Sequence, residues 1–254
     1  MRWHGILVSV RSADEARAAL AGGAAIVDVK DPEAGPLGRP SAAVSAAVAE
    51  VVADRRPWTL AIGELAAGPA AIVAHLRAVA GLATGDGRPP RAVKAGPAGL
   101  DADGWRAGMA VLRDALPDGI EPVAVAYADW EAAAAPEPAA IVAAAAATGL
   151  RTLLVDTFIK DGRGLFASAG IDAVRGWVAE AHRRGLDVAL AGSLTAADVP
   201  RAVACGAGVV AVRTAACSGG RLGTVAEERV RGLVTLFAAA DASSVVPAAA
   251  GAQP

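Results

Sequence analysis

The chain has 254 residues, with 24 Lys and Arg against 26 Asp and Glu, a size that suits one α/β barrel and a charge balance that leaves no basic stripe for nucleic acid. Cys205 and Cys217 form no CxxC pair, and the N-terminal apolar stretch Ile6 to Val10 is too short for a secretory h-region, which points to a reduced, cytoplasmic protein. No apolar run is long enough to span a bilayer, because the alanine-rich stretch 132–147 is broken by Pro136, Glu137 and Pro138.

Taken in chain order, Ile6 to Val10 reads as a strand, and Ser12-Ala-Asp-Glu15 as a capping box opening a helix that Gly22-Gly23 stop. Ile26 to Val29 is the second strand, and Ser41 starts a helix to about Ala53. Trp58 to Ile62 is the third strand, and Pro69 opens a helix to about Leu82. A loop at 84–90 leads to strand four, Ala92 to Ala95, and a helix over Asp103 to Leu116. Pro122 to Tyr127 is strand five, with its helix near Ala139 to Ala147.

Thr152 to Thr157 is strand six, followed by the charged glycine loop Lys160 to Gly164 and a helix from Ile171 to Arg184. Asp187 to Ala191, a short helix over Thr195 to Ala204, Gly208 to Arg213, and a last helix over Ala226 to Ala239 complete eight strand–helix alternations. That alternation predicts a single (β/α)8 TIM barrel over residues 1–239, with 240–254 as a disordered tail lacking periodicity. The alanine-rich helix faces pack closely and are candidates for subunit contacts in a homo-oligomer. His4, His75 and His182 do not fall at strand ends, so no metal site is expected.

The chemistry concentrates in lysine. The chain has only three, Lys30, Lys94 and Lys160, each at the end of a strand-like apolar run, while arginine supplies the other positive charge. Lysine can lose its proton and attack a carbonyl, whereas arginine cannot. In a barrel the ends of alternate strands meet at one mouth, which predicts that Lys30, Lys94 and Asp156 converge, with Lys160 in the following loop. Asp28 and Lys30 share the inward face, while Val29, Val93 and Val155 face the helices.

Several amines in one semi-buried mouth depress one another's basicity, and reaching a useful ~7–8 takes roughly 4 kcal/mol of such bias. The competing reading is structural, with Asp28 paired to one lysine and Asp156 to another. A phosphate is expected after strands seven and eight, where Gly192, Ser193, Arg213 and Thr214 fall, with Gly38 in a second glycine loop. Glu64 and Tyr127, both at strand ends, are secondary candidates for proton transfer and substrate contact.

With these residues in place, the chain resembles the (5-formylfuran-3-yl)methyl phosphate synthase family. The resemblance rests on Val27-Asp-Val-Lys-Asp-Pro32 with Gly35-Pro-Leu-Gly38, Ala92-Val-Lys-Ala-Gly96, Val155-Asp-Thr-Phe-Ile-Lys-Asp-Gly162, and Ala191-Gly-Ser-Leu194 with Val212-Arg-Thr-Ala-Ala-Cys217. It implies Asp28, Lys30, Lys94, Asp156 and Lys160 as the catalytic set. It also implies a carbon–oxygen lyase of methanofuran biosynthesis that joins two glyceraldehyde 3-phosphates into a furan phosphate, without cofactor. Pro36 and Thr214 depart from the pattern expected of the family, in the two loops read as phosphate-binding. The rival readings are a class I Schiff-base aldolase on phosphorylated sugars and a non-catalytic phosphosugar-binding barrel.

Overall fold

The computed structural model describes residues 3–82 and 88–244, so residues 84–87 of the loop 84–90 and residues 245–254 of the expected tail lie outside it. Eight parallel strands close into a barrel in chain order: β1 (Gly5–Val10), β2 (Ile26–Val29), β3 (Trp58–Glu64), β4 (Ala92–Gly96), β5 (Glu121–Tyr127), β6 (Thr152–Asp156), β7 (Asp187–Leu190) and β8 (Val209–Val212). Closure is made by β1 on β8, with Gly5 opposite Val209 and Val8 opposite Val212. Each barrel strand is covered on one face by helices and on the other by the interior, which explains why these segments read as continuous apolar runs.

Around the barrel lie α1 (Ala13–Ala21), α2 (Ala42–Val52), α3 (Pro69–Leu82), α4 (Ala102–Ala115), α5 (Pro138–Ala147), α6 (Leu165–Ala169), α7 (Ile171–Arg183), α8 (Asp198–Ala204) and α9 (Glu227–Ser244). Their starts follow local chemistry. Ser12, Ser41 and Asp101 each accept a backbone N–H of the first turn, and Pro69 and Pro138 open helices whose first N–H groups have no intrahelical partner. α9 continues to Ser244, five residues past the expected end of the domain.

Two features had no expectation: the short α6 before α7, and a two-stranded antiparallel hairpin, β9 (Cys217–Ser218) and β10 (Thr224–Val225), between β8 and α9. Strands of two residues carry no readable periodicity. Among the described residues no helix is long and apolar enough to cross a membrane. Cys205 and Cys217 are buried free thiols.

Two apolar layers result. Val29, Val93 and Val155 join the shell between sheet and helices, as expected, together with Trp58, Trp105 and Phe237. The barrel interior is filled by Leu7, Ile26, Val123, Val125, Leu154 and Val209 among others. Above this plug, at the carboxyl ends of the strands, the interior turns polar.

Candidate active site

Lysine and aspartate are almost never fully buried without partners. Here Asp28 is 1%, Asp156 2%, Lys94 5% and Lys30 8% exposed, all in the mouth of one barrel. Ser9, Asp28 and Thr59 are register neighbours on β1, β2 and β3, so they project inward at one level. Asp28 accepts hydrogen bonds from the Ser9 hydroxyl at 2.9 Å and the Thr59 hydroxyl at 2.7 Å, and its Oδ1 lies 2.5 Å from Lys94 Nζ.

Opposite, Lys160 donates to Asp156 at 2.6 Å and to the Thr157 hydroxyl at 3.1 Å. The loop after β6 must fold back to allow this. Asp129, just past β5, holds it there by accepting the backbone N–H groups of Phe158 at 2.6 Å and Ile159 at 2.8 Å. Sequence reasoning passed over Asp129, whose role depends on two strands lying side by side.

Lys30 differs from the other two amines. Among the described residues it forms no ion pair, and its one hydrogen bond is a long donation, 3.4 Å, to the carbonyl of Pro36. Asp28, which shares its face, does not hold it, because the carboxylate is taken by Lys94. Side chains two apart on a strand run parallel rather than towards each other, and Asp28 reaches its cation across the barrel. Both ion pairs of the structural reading are present, and one amine is left over.

Desolvation by burial brings Lys30 down to about 8, reinforced by Lys160 and Lys94 and opposed by Asp156 and Asp28. Burial pushes Asp28 upwards, but Lys94 and Lys30, with the bonds from Lys94 and Thr59, outweigh it and hold the carboxyl below its usual range. Asp156 behaves likewise: burial raises it, and Lys160, Lys30 and the Thr157 N–H bring it below the ordinary value. Both carboxylates stay charged at neutral pH, while the neutral form of Lys30 is far better populated than that of an ordinary lysine.

On the far side of the mouth Tyr127 donates its hydroxyl to Glu64 at 2.7 Å, and Glu64 also accepts the Ala98 N–H at 3.0 Å. Burial raises Glu64 above the usual carboxyl range against those two bonds, with the charge of Asp156 adding to the rise. Burial raises Tyr127 as well, and Glu64 adds to it. Gly96 lies against this pair: a Cβ there would collide with the Glu64 carboxylate and the Tyr127 hydroxyl.

A cavity of about 460 Å³, counted to its open mouth, is lined by Lys30, Lys94, Lys160, Asp28 and Asp156 together with Gly192, Ser193 and Thr214. The three expected phosphate contacts after β7 and β8 therefore line the same cavity as the amines. Gly192 (φ 96°) and Ser193 (φ 49°) both have positive φ, which glycine adopts readily and serine seldom does.

Two other expectations fail. Gly38 is buried at the base of its loop, where its carbonyl accepts the Asp31 N–H at 2.8 Å and a Cβ would strike Asp31 and Ala34, so its smallness serves loop closure. Arg213 reaches the cavity wall with every donor occupied. Its Nε bonds the Arg221 carbonyl, Nη1 bonds Ser9 O and Glu15, and Nη2 bonds Glu15 and Gly223 O. Glu15, the expected capping-box residue, turns inward to make this pair and to accept the Arg11 N–H at 2.9 Å. A second arginine, Arg221, also lines the cavity, from the hairpin that no strand pattern announced.

A family model described as 4-HFC-P synthase matches residues 6–234. A protein of Methanopyrus kandleri, 34% identical over 92% of this chain and 98% of its own length, bears the name (5-formylfuran-3-yl)methyl phosphate synthase. One of Methanocaldococcus jannaschii with the same name is 33% identical over 85% of this chain and 91% of its own. Among solved structures, 3-hexulose-6-phosphate synthase from Salmonella typhimurium superposes with a TM-score of 0.61 at 14% identity, covering 93% of this chain and 99% of that one. KGPDC from Streptococcus mutans gives a TM-score of 0.60 at 11% identity, covering 94% of this chain and 98% of that one. These two likenesses speak for the barrel fold.

Proposed function

This chain belongs to the 4-HFC-P synthase family, and from that membership and the arrangement of its amines we propose that it condenses two molecules of glyceraldehyde 3-phosphate into (5-formylfuran-3-yl)methyl phosphate through an imine on Lys30. One observation carries the choice of lysine. Lys94 and Lys160 are each bound to an aspartate, whereas Lys30 is buried, outside any ion pair among the described residues, and brought down to about 8. An unprotonated amine is what attack on a carbonyl requires.

In this reading proton transfers bring both triose phosphates to their ketone forms, and Lys30 Nζ adds to the central carbon of one with loss of water, giving a protonated imine. The imine draws a proton from the hydroxyl-bearing carbon beside it, phosphate leaves the carbon on its other side, and the resulting enamine methylene is nucleophilic while the hydroxyl-bearing carbon becomes an aldehyde. That methylene attacks the central carbonyl of the second triose phosphate, whose oxygen takes a proton. The free hydroxyl of the second triose closes the ring on the imine carbon, Lys30 leaves as the amine, and loss of a second water completes the furan, so that two trioses give one furan phosphate, one phosphate and two waters. Asp156 and Lys160, 2.6 Å apart, are suited to take and return these protons. Lys94, held by Asp28, stands as a fixed cation that lowers the basicity of Lys30 without consuming its lone pair, while the Asp28 charge opposes that effect.

Borohydride reduction in the presence of glyceraldehyde 3-phosphate tests the assignment. The expected result is one covalent adduct, mapped by mass spectrometry to Lys30, and a product absorbing in the near ultraviolet as a conjugated furan aldehyde. An adduct on Lys94 or Lys160 would overturn the choice of lysine. An adduct without the furan absorbance would mean an aldolase instead.

A further inference from the structure

The charges around the cavity do not cancel. Lys94 is matched by Asp28, Lys160 by Asp156 and Arg213 by Glu15, which leaves Lys30 and Arg221 as the cations without a carboxylate among the described residues. A phosphate monoester carries close to two negative charges at neutral pH, as protein phosphates do. The surplus therefore matches that group in sign.

Arg221 is also held in place before any ligand arrives. It sits in the turn of the β9–β10 hairpin, where Gly219 and Gly220 take positive φ and a Cβ on Gly223 would run into the Ser218 carbonyl. Arg213, fixed by Glu15 and by Ser9 O, donates to the carbonyls of Arg221 at 2.8 Å and Gly223 at 3.1 Å, so a buried ion pair anchors the turn from below. From that anchor the Arg221 side chain crosses to the loop after β2, where its Nη2 donates to Pro32 O at 3.1 Å and Gly35 O at 3.0 Å. Its Nε and Nη1 meet no acceptor among the described residues, and the side chain lines the cavity with Gly192, Ser193 and Lys160.

A guanidinium oriented by two carbonyls loses little freedom when it takes an anion, and its planar fork suits phosphate oxygens. We propose that Arg221 is the residue that binds the phosphate of the substrate, and that Arg213, the arginine the sequence points to, is its positioning residue. The identity of the phosphate ester rests on the function proposed above. The binding of the anion does not.

The test uses the whole chain and inorganic phosphate, followed by isothermal calorimetry at neutral pH. Wild type is expected to bind phosphate, Arg221→Gln at least ~10-fold more weakly, and Arg163→Gln, on an exposed loop, as wild type. Arg221→Lys keeps the charge and is expected to fall between, which guards against a folding defect in the glutamine variant. In the enzyme assay Arg221→Gln is expected to raise KM for glyceraldehyde 3-phosphate with little loss of kcat. Arg213→Lys is expected to weaken phosphate binding alone but to add nothing in the Arg221→Gln background.

Wild type that fails to bind phosphate would overturn the proposal. So would Arg221→Gln with unchanged affinity and a lowered melting point, because the arginine is then only a strap between two loops. Additive effects of the two arginine substitutions would remove the positioning role of Arg213. Phosphate binding that depends on Arg221, in a protein that traps no triose on borohydride reduction, would leave this site standing and sink the imine.

Discussion

Asp28 is bound to Lys94 and not to Lys30, although Lys30 follows it by two residues on the same face of the barrel. That choice of partner divides the amines into two that are bound to a carboxylate and one that is not. The division gives the site its measurable properties.

The first is a pH profile. Trapping of a triose adduct is expected to speed up from neutral to alkaline pH, with a midpoint near 8. Asp156→Asn removes the strongest influence keeping Lys30 charged, so the midpoint falls; Lys160→Met removes a repelling cation, so it rises. Movement of both midpoints in one direction would contradict this electrostatic account.

Stability follows from the same shift with a definite sign. Lys30 binds its proton less well in the folded protein than in the unfolded chain, so its burial costs stability below about 8, and the cost is relieved as pH rises towards the ordinary lysine value of 10.5. Lys30→Met is expected to stabilise the protein at neutral pH by on the order of 1–3 kcal/mol, with the gain shrinking at alkaline pH. Urea melts of both proteins at several pH values check it.

The paired lysines predict the reverse. Asp28→Asn leaves Lys94 buried without its counter-charge and is expected to cost about 3–5 kcal/mol. The double variant Asp28→Asn with Lys94→Met is expected to recover much of that loss. If the single variant melts as wild type does, the 2.5 Å pair contributes nothing to holding the mouth together.

The location of the amines was readable because strand ends are a property of chain order, and a barrel converts chain order into position around one ring. Their pairing was not readable. Whether Asp28 meets Lys30 or Lys94 depends on the lateral register that sets Ser9, Asp28 and Thr59 side by side. Arg213 and Arg221 show the same limit: an arginine at a strand end suggests an anion site, yet a glutamate far away in the sequence claims it, and the free donors appear in a hairpin too short to leave a pattern. Gly38 misled because a glycine needed for close backbone approach looks, in sequence, like one that admits a ligand.

The Glu15–Arg213 pair carries a further expectation. Both partners are buried, so Glu15→Gln strands a guanidinium and is expected to cost about 3–5 kcal/mol and loosen the β9–β10 turn. Hydrogen exchange at residues 217–225 reads this directly. Protection there equal to wild type would show that the hairpin stands without its anchor.

Tyr127 gives a milder case. Tyr127→Phe removes a donor from Glu64, whose carboxyl burial already raises, so Glu64 should rise further. A carboxyl raised by folding contributes stability below its unfolded value that is lost as pH rises, so the variant should lose more stability than wild type between mildly acidic and neutral pH. Parallel melting curves across that range would contradict the expectation.

All three lysines of the chain lie in the barrel mouth, none of them classed as exposed. The outer surface therefore offers arginine and no lysine to aldehydes in solution, which spares it the random sugar adducts that a reactive triose leaves on ordinary proteins. The same arrangement makes an acylating amine reagent selective: apart from a terminal amine, its route to a lysine runs through the opening that the substrate uses.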